Sequence, residues 1–191
     1  MNPSLWLALA TGVAIAAACG LRAFLPLFVV GVAARLGVID LKPGLDWLAG
    51  NPALVALGLA TVLEILADKV PAVDHALDLV GTVVRPLAAW LGAYAVLVDW
   101  PAPWGQLAAL VLGSGALALH LAKAKLRLGS TAVTLGHANP LISLAEDAAA
   151  VAILVVALLV PLLALAVAGL AVWAMVARRR RRVRGVPPAP G

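Results

Sequence analysis

The stretch "EILADKVPAVDHALD" gathers Glu64, Asp68, Asp74 and Asp78 around Lys69 and His75, directly after the apolar run Ala53 to Leu63. Glu64 and Asp68 stand four apart, as do Asp74 and Asp78, so each pair shares a helical face, and Pro71 falls between the pairs. Carboxylates so placed can bind a proton or a cation, ligate a metal, or act as a general base. A second set is basic. His120, Lys123 and Arg127 fall at i, i+3 and i+7 of one face, among Leu119, Leu121, Ala122, Ala124 and Leu126. Together with Arg22 and Arg85 this stripe can hold a phosphate or carboxylate, or pair with the acidic helix, and both readings stand. Glu146 and Asp147 follow "NPLIS", where an acid near a helix start complements the dipole, so at least one is expected to cap. His75 and His137 join the acids as metal-ligand candidates, but their spacing specifies no metal, and nothing calls for a cofactor.

Such charges need elements to carry them, and composition says which. Of 191 residues, 64% are hydrophobic and 12% charged, with a mean hydropathy of +1.06. That is the profile of a membrane protein. The expected fold is all-α, a multi-spanning transmembrane helical bundle of one domain, residues 1–177, followed by a disordered basic tail, 178–191. The single cysteine, Cys19, excludes an intrachain disulfide and a cysteine-based metal cluster. Small residues before Cys19 resemble a signal-peptide pattern. Yet Met1 to Leu5 carry no Lys or Arg, and apolar sequence resumes after Arg22, so the stretch is read as an uncleaved first span.

Five spans account for the pattern: Leu5 to Ala34 with a kink from Gly20 and Pro26, Pro52 to Lys69, Val83 to Val98, Gly105 to Leu126, and Ala148 to Ala177. The last would run about 45 Å and must tilt, bend near Pro161 or protrude. Folding it at Pro161 gives a six-span alternative. Between Lys69 and Val83, Pro71 is expected to break the chain into a short amphipathic or re-entrant helix. Trp47, Trp100 and Trp104, in Pro- and Gly-rich turns, suit a membrane interface or fill gaps between helices. The tail "ARRRRRVRGVPPAPG" carries six arginines, which places the C-terminus on the cytoplasmic side of the membrane, near anionic lipids and without a nucleic-acid role. With five spans, the N-terminus, Val70 to Thr82 and Leu128 to Asp147 then share the outer side, where acids and bases converge. Asn51-Pro52 and Asn139-Pro140 hint at an inverted repeat, and abundant small residues permit a homo-oligomer.

There is no glycine-rich nucleotide loop, no HExxH and no nucleophile elbow, so the chain is read as a non-enzyme ahead of an enzyme. The segments "GLRAFLPLFVVGVAARLG", "EILADKVPAVDHALDLVGTVVRPLAA" and "SLAEDAAA" resemble the bacterial membrane family designated domain of unknown function DUF4126, over nearly everything before the tail. The resemblance implies a multi-spanning membrane protein and supplies no substrate or catalytic residue. "EILADKVP" is also similar, more faintly, to undecaprenyl-diphosphate phosphatases, which have two acids four apart and a proline soon after. Their serine- and arginine-bearing phosphate motif has no counterpart here. Three functions follow. The first is a small transporter or channel with Glu64 and Asp68 binding a proton or cation. The second is a lipid-phosphate enzyme or flippase with Arg22, Arg85, Lys123 and Arg127 on phosphate. The third is a scaffold whose charges only hold helices together.

Overall fold

The computed structural model describes residues 3–67, 71–134 and 137–159, with side chains at 5–67, 77–134 and 137–159. The contacts below lie within the compact unit Met1–Leu158. Among the described residues every regular element is helical: α1 (Pro3–Leu21), α2 (Phe24–Arg35), a short 3₁₀ turn (Asp46–Ala49), α3 (Asn51–Ala67), α4 (Pro71–Val96), α5 (Trp104–Thr134) and α6 (Asn139–Leu159). Three segments, Leu77–Val96, Trp104–Thr134 and Asn139–Leu159, are long and apolar enough to cross a membrane.

The expected first span, Leu5 to Ala34, is not one crossing. The chain breaks at Arg22 and Ala23, and α2 turns back along α1. Four contacts fix this direction. Arg85 of α4 donates to the carbonyls of Gly20 and Leu21 at the end of α1. Higher up, the backbone of Gly92 is approached by both Ile15 of α1 and Leu27 of α2. Trp100 Nε1 donates to the Leu5 carbonyl near the start of α1, and the Lys42 N–H, beyond α2, donates to the carbonyl of Ala95. Both helices therefore have their far ends beside the C-terminus of α4, with the break buried below. The start of α1, expected beside the segment after Lys69 and the end of α5, accordingly shares instead the end that bears Trp100 and Trp104.

Other boundaries move for physical reasons. Pro71 opens α4 instead of separating a short helix from a later span, because a proline in the first turn loses no intrahelical hydrogen bond. Pro86 sits inside the same helix, with its carbonyl close to Gly113 of α5. A Cβ on Gly113 would lie 2.8 Å from that oxygen, so glycine lets the two helices meet there. α5 runs past Leu126 to Thr134, its Thr131 and Thr134 hydroxyls turned back to the carbonyls of Arg127 and Ser130. α6 starts at Asn139, not Ala148, with Pro140 in its first turn. Asp68 and Lys69, the side chains of Asp74 and His75, the bend at Pro161, the rest of the last span and the tail lie outside the described residues.

The core is built from small and branched residues, among them Ile15, Cys19, Val30, Ala88, Ala89 and Leu154. Small side chains let helices approach closely, which is what holds bundles together in lipid. The exposed surface inverts the soluble pattern: Leu79 is 77% exposed and Leu63 66%, whereas Arg22 and His120 are 0%. Large apolar side chains face outward along the helices while Arg22, Glu64, Arg85, Lys123 and Arg127 face inward, as an apolar surrounding requires.

Candidate functional site

Breaking a helix inside a bundle orphans backbone groups at both new ends, and none can be left bare away from water. Here both ends are closed by ionisable side chains from other helices. At the start of α2 the N–H groups of Ala23 and Phe24 donate to Glu64 Oε1 and Oε2 of α3, at 2.9 and 3.2 Å. At the end of α1, Arg85 Nη1 reaches the carbonyls of Gly20 at 3.1 Å and Leu21 at 2.5 Å. Lys123 Nζ of α5 adds a third contact, 3.1 Å from the Leu21 carbonyl. The anion thus sits at the positive helix end and the cations at the negative one, the arrangement the dipole favours. Arg85 Nη2 and Glu64 Oε1, 3.6 Å apart, link the two caps.

The remaining charges tie this break to α6. Lys123 Nζ lies 2.9 Å from Glu146 Oε2 and Arg127 Nη2 lies 2.7 Å from the same oxygen. Arg22, in the break itself, donates from Nη2 to Ser143 Oγ at 3.0 Å and places Nε 2.5 Å from Asp147 Oδ1. His120 meets the Asp78 carbonyl at 3.0 Å through Nε2. A carbonyl only accepts, so Nε2 carries the proton, and Nδ1 is buried without a hydrogen-bond partner. Arg22, Glu64, Arg85, His120, Lys123, Arg127 and Ser143 are all 5% exposed or less, and Glu146 is 9%. Glu64 lies thirteen residues beyond Asn51 and Lys123 nineteen beyond Trp104, about 20 and 28 Å along their helices. Against a hydrocarbon layer about 30 Å thick, these positions lie well past the middle of the helices' crossing, toward the end away from Trp104.

The structure therefore brings together Arg22, Glu64, Arg85, His120, Lys123, Arg127, Glu146 and Asp147. One expectation needs correction. Glu146 and Asp147 do not cap the start of α6: they lie seven and eight residues beyond Asn139, too far in for its first turn, and pair across the bundle. Of the basic set, His120 and Arg85 meet Asp78 and Glu64 of the acidic segment, while Lys123 and Arg127 meet Glu146 of α6 and Lys123 also the end of α1. Asp78 joins the group only through its carbonyl and lines a pocket with Arg127, while Asp68 and the side chain of Asp74 fall outside the described residues. His137 is exposed, and among the described residues no group of histidine, cysteine and carboxylate side chains is gathered as for a metal ion.

Two participants were missed in the sequence. Ser143 shares a face with Glu146 and Asp147 at i, i+3 and i+4, a signal that was present. Gly81 had only its spacing of four from Arg85. A Cβ there would lie 2.9 Å from Arg85 Nε and 3.3 Å from His120 Cε1, so its absence makes room for both.

The family model described as Domain of unknown function (DUF4126) matches residues 9–181, and the chain belongs to that family. No curated protein and no solved structure matches it significantly.

Proposed function

We propose that this DUF4126 protein is a small transporter or channel of the bacterial cytoplasmic membrane, with its C-terminal arginines on the cytoplasmic side. In this reading the α1/α2 break is the moving element, and Glu64 and Glu146 are the carboxylates that exchange a proton or cation. The observation that carries it is the double cap. Discontinuous helices in transporters bring a positive N-terminal end and a negative C-terminal end to a midplane site. Here the protein's own Glu64 occupies the first and its own Arg85 and Lys123 the second. Protonating Glu64 removes the charge that holds Arg85 and the start of α2, and releases both ends together. Asn-Pro opens α3 and also α6, which run in opposite directions past this layer, in keeping with an inverted arrangement.

The completeness of the pairing also supports a scaffold, in which the charges do no more than close the break. Flux separates the two. Purified protein in liposomes, under imposed proton, sodium and potassium gradients, should conduct one of them above protein-free vesicles. Glu64→Gln should lose that flux while keeping its elution profile and helical signal. Flux at the protein-free level for all three ions, or a Glu64→Gln protein as active as the parent, overturns the proposal.

A further inference from the structure

Along the seam between α4 and α5 lie two cavities that differ in lining. The first, about 280 Å³, sets Asp78 and Thr82 of α4, Arg127 of α5 and Asn139 of α6 among the apolar Leu79, Ala124 and Leu128. The second, about 350 Å³, lies between Pro86, Leu87 and Trp90 of α4 and Leu110, Gly113 and Leu117 of α5. It is apolar apart from Ser114, whose hydroxyl is turned back to the Leu110 carbonyl. Residues 79, 82, 86 and 90 of α4, and 128, 124, 117 and 110 of α5, recur at steps of three, four and seven. Each set is therefore one stripe of its helix, and the cavities are two stations on one groove. From Asp78 to Trp90 is about 18 Å of helix, close to half the 40–45 Å of a bilayer with its headgroups.

The polar station discriminates among headgroups. Among the described residues no cation pairs with the Asp78 carboxylate. Thr82 spends its proton on the Asp78 carbonyl, at 3.0 Å, which leaves its oxygen an acceptor. Asn139 donates from Nδ2 to Thr131 Oγ1, whose own proton goes to the Arg127 carbonyl. This fixes the amide orientation and leaves Oδ1 as an acceptor that takes no hydrogen bond. A carboxylate with acceptors around it suits a primary ammonium, which has three donors and no acceptor. Across the pocket Arg127, held against Glu146 at 2.7 Å, gives a positive wall for a phosphate. Leu79 and Leu128, 77% and 59% exposed, open the pocket toward lipid.

We propose that the α4/α5 seam binds one phospholipid whose zwitterionic head ends in a primary ammonium, with the head between Asp78 and Arg127 and an acyl chain in the groove beside Pro86 and Trp90. The proposal does not depend on transport. Native mass spectrometry of the full-length protein in detergent, offered an equimolar mixture of phosphatidylethanolamine, phosphatidylcholine and phosphatidylglycerol with matched chains, tests it. The ethanolamine lipid should be retained about tenfold over the other two, since choline has no donor and a glycerol head leaves Asp78 facing net negative charge. Asp78→Asn should lower it to the choline level, whereas Asp99→Asn, an exposed acid at the other end of α4, should change nothing. Leu117→Trp, which fills the apolar station without touching the polar one, should weaken all three lipids together. Equal retention of the three by the parent, an unchanged preference in a folded Asp78→Asn protein, or competition by soluble phosphoethanolamine as strong as by the lipid, overturns the proposal. Should Asp78→Asn fail to fold, the parent's lipid ranking and the Leu117→Trp result decide alone.

Discussion

Two lysines in this molecule close off helix ends, and they do it in different company. Lys42 sits at the tryptophan end, its Nζ donating to the carbonyls of Leu97, Val98 and Trp100 at 2.9, 3.3 and 2.9 Å and lying 5.1 Å from the centre of the Tyr94 ring. No carboxylate among the described residues pairs with it. Lys123 performs the same service for α1, but it is 5% exposed and shares Glu146 with Arg127. Capping a helix with a lysine therefore does not by itself call for an acid. Near the interface, water, carbonyls and an aromatic face are enough. At depth a cation must bring its counter-charge with it. The carboxylates Glu64 and Glu146 accompany cations that the surrounding helices bury.

Substitutions at the two ends should separate by size. Glu146→Ala takes one shared carboxylate from both Lys123 and Arg127 and should lose about 3 kcal/mol of stability in detergent, read by chemical unfolding. Glu64→Gln keeps one acceptor for the start of α2 but loses the charge facing Arg85, and should lose about 2–3 kcal/mol by the same assay. Lys42→Met, which takes away three carbonyl contacts in one step, should lose only about 1 kcal/mol, because those carbonyls can turn to water. Arg35→Ala removes the exposed hydrogen bond to Asn51 that joins the ends of α2 and α3, and should stay within about 0.5 kcal/mol. If Lys42→Met proved as damaging as Glu146→Ala, depth would not be what separates the two lysines.

Much of this layer was legible in the sequence, and the reason it was assembled was not. The stripe of His120, Lys123 and Arg127 and the isolation of Glu64 after its apolar run are local patterns that survive folding. The break at Arg22 has no such mark: apolar residues continue across it, Gly20 and Pro26 flank it without sitting at it, and its side-chain hydrogen bonds reach residues 40 to 121 positions away. A helix interrupted by tertiary partners cannot be found from periodicity. Prolines misled in the other direction. Pro71 reads as a breaker but starts α4, and Pro86 lies inside a helix that neighbouring helices hold intact. The start of α6 was hidden because Glu146 and Asp147 interrupt its apolar count, although they face inward.

The central claim is that charge, and not packing alone, holds the α1/α2 break closed. Cys19 reports on it directly. It is the single cysteine of the chain, 0% exposed, and lies one turn before Arg22. Its rate of alkylation by a membrane-permeant maleimide, at fixed pH in liposomes, should be slow in the parent and in Lys42→Met and faster by about tenfold or more in Glu64→Gln and Glu146→Gln, with helical content unchanged. Equal, slow labelling of all four proteins would mean that the break stays shut without its carboxylates, and would contradict the account.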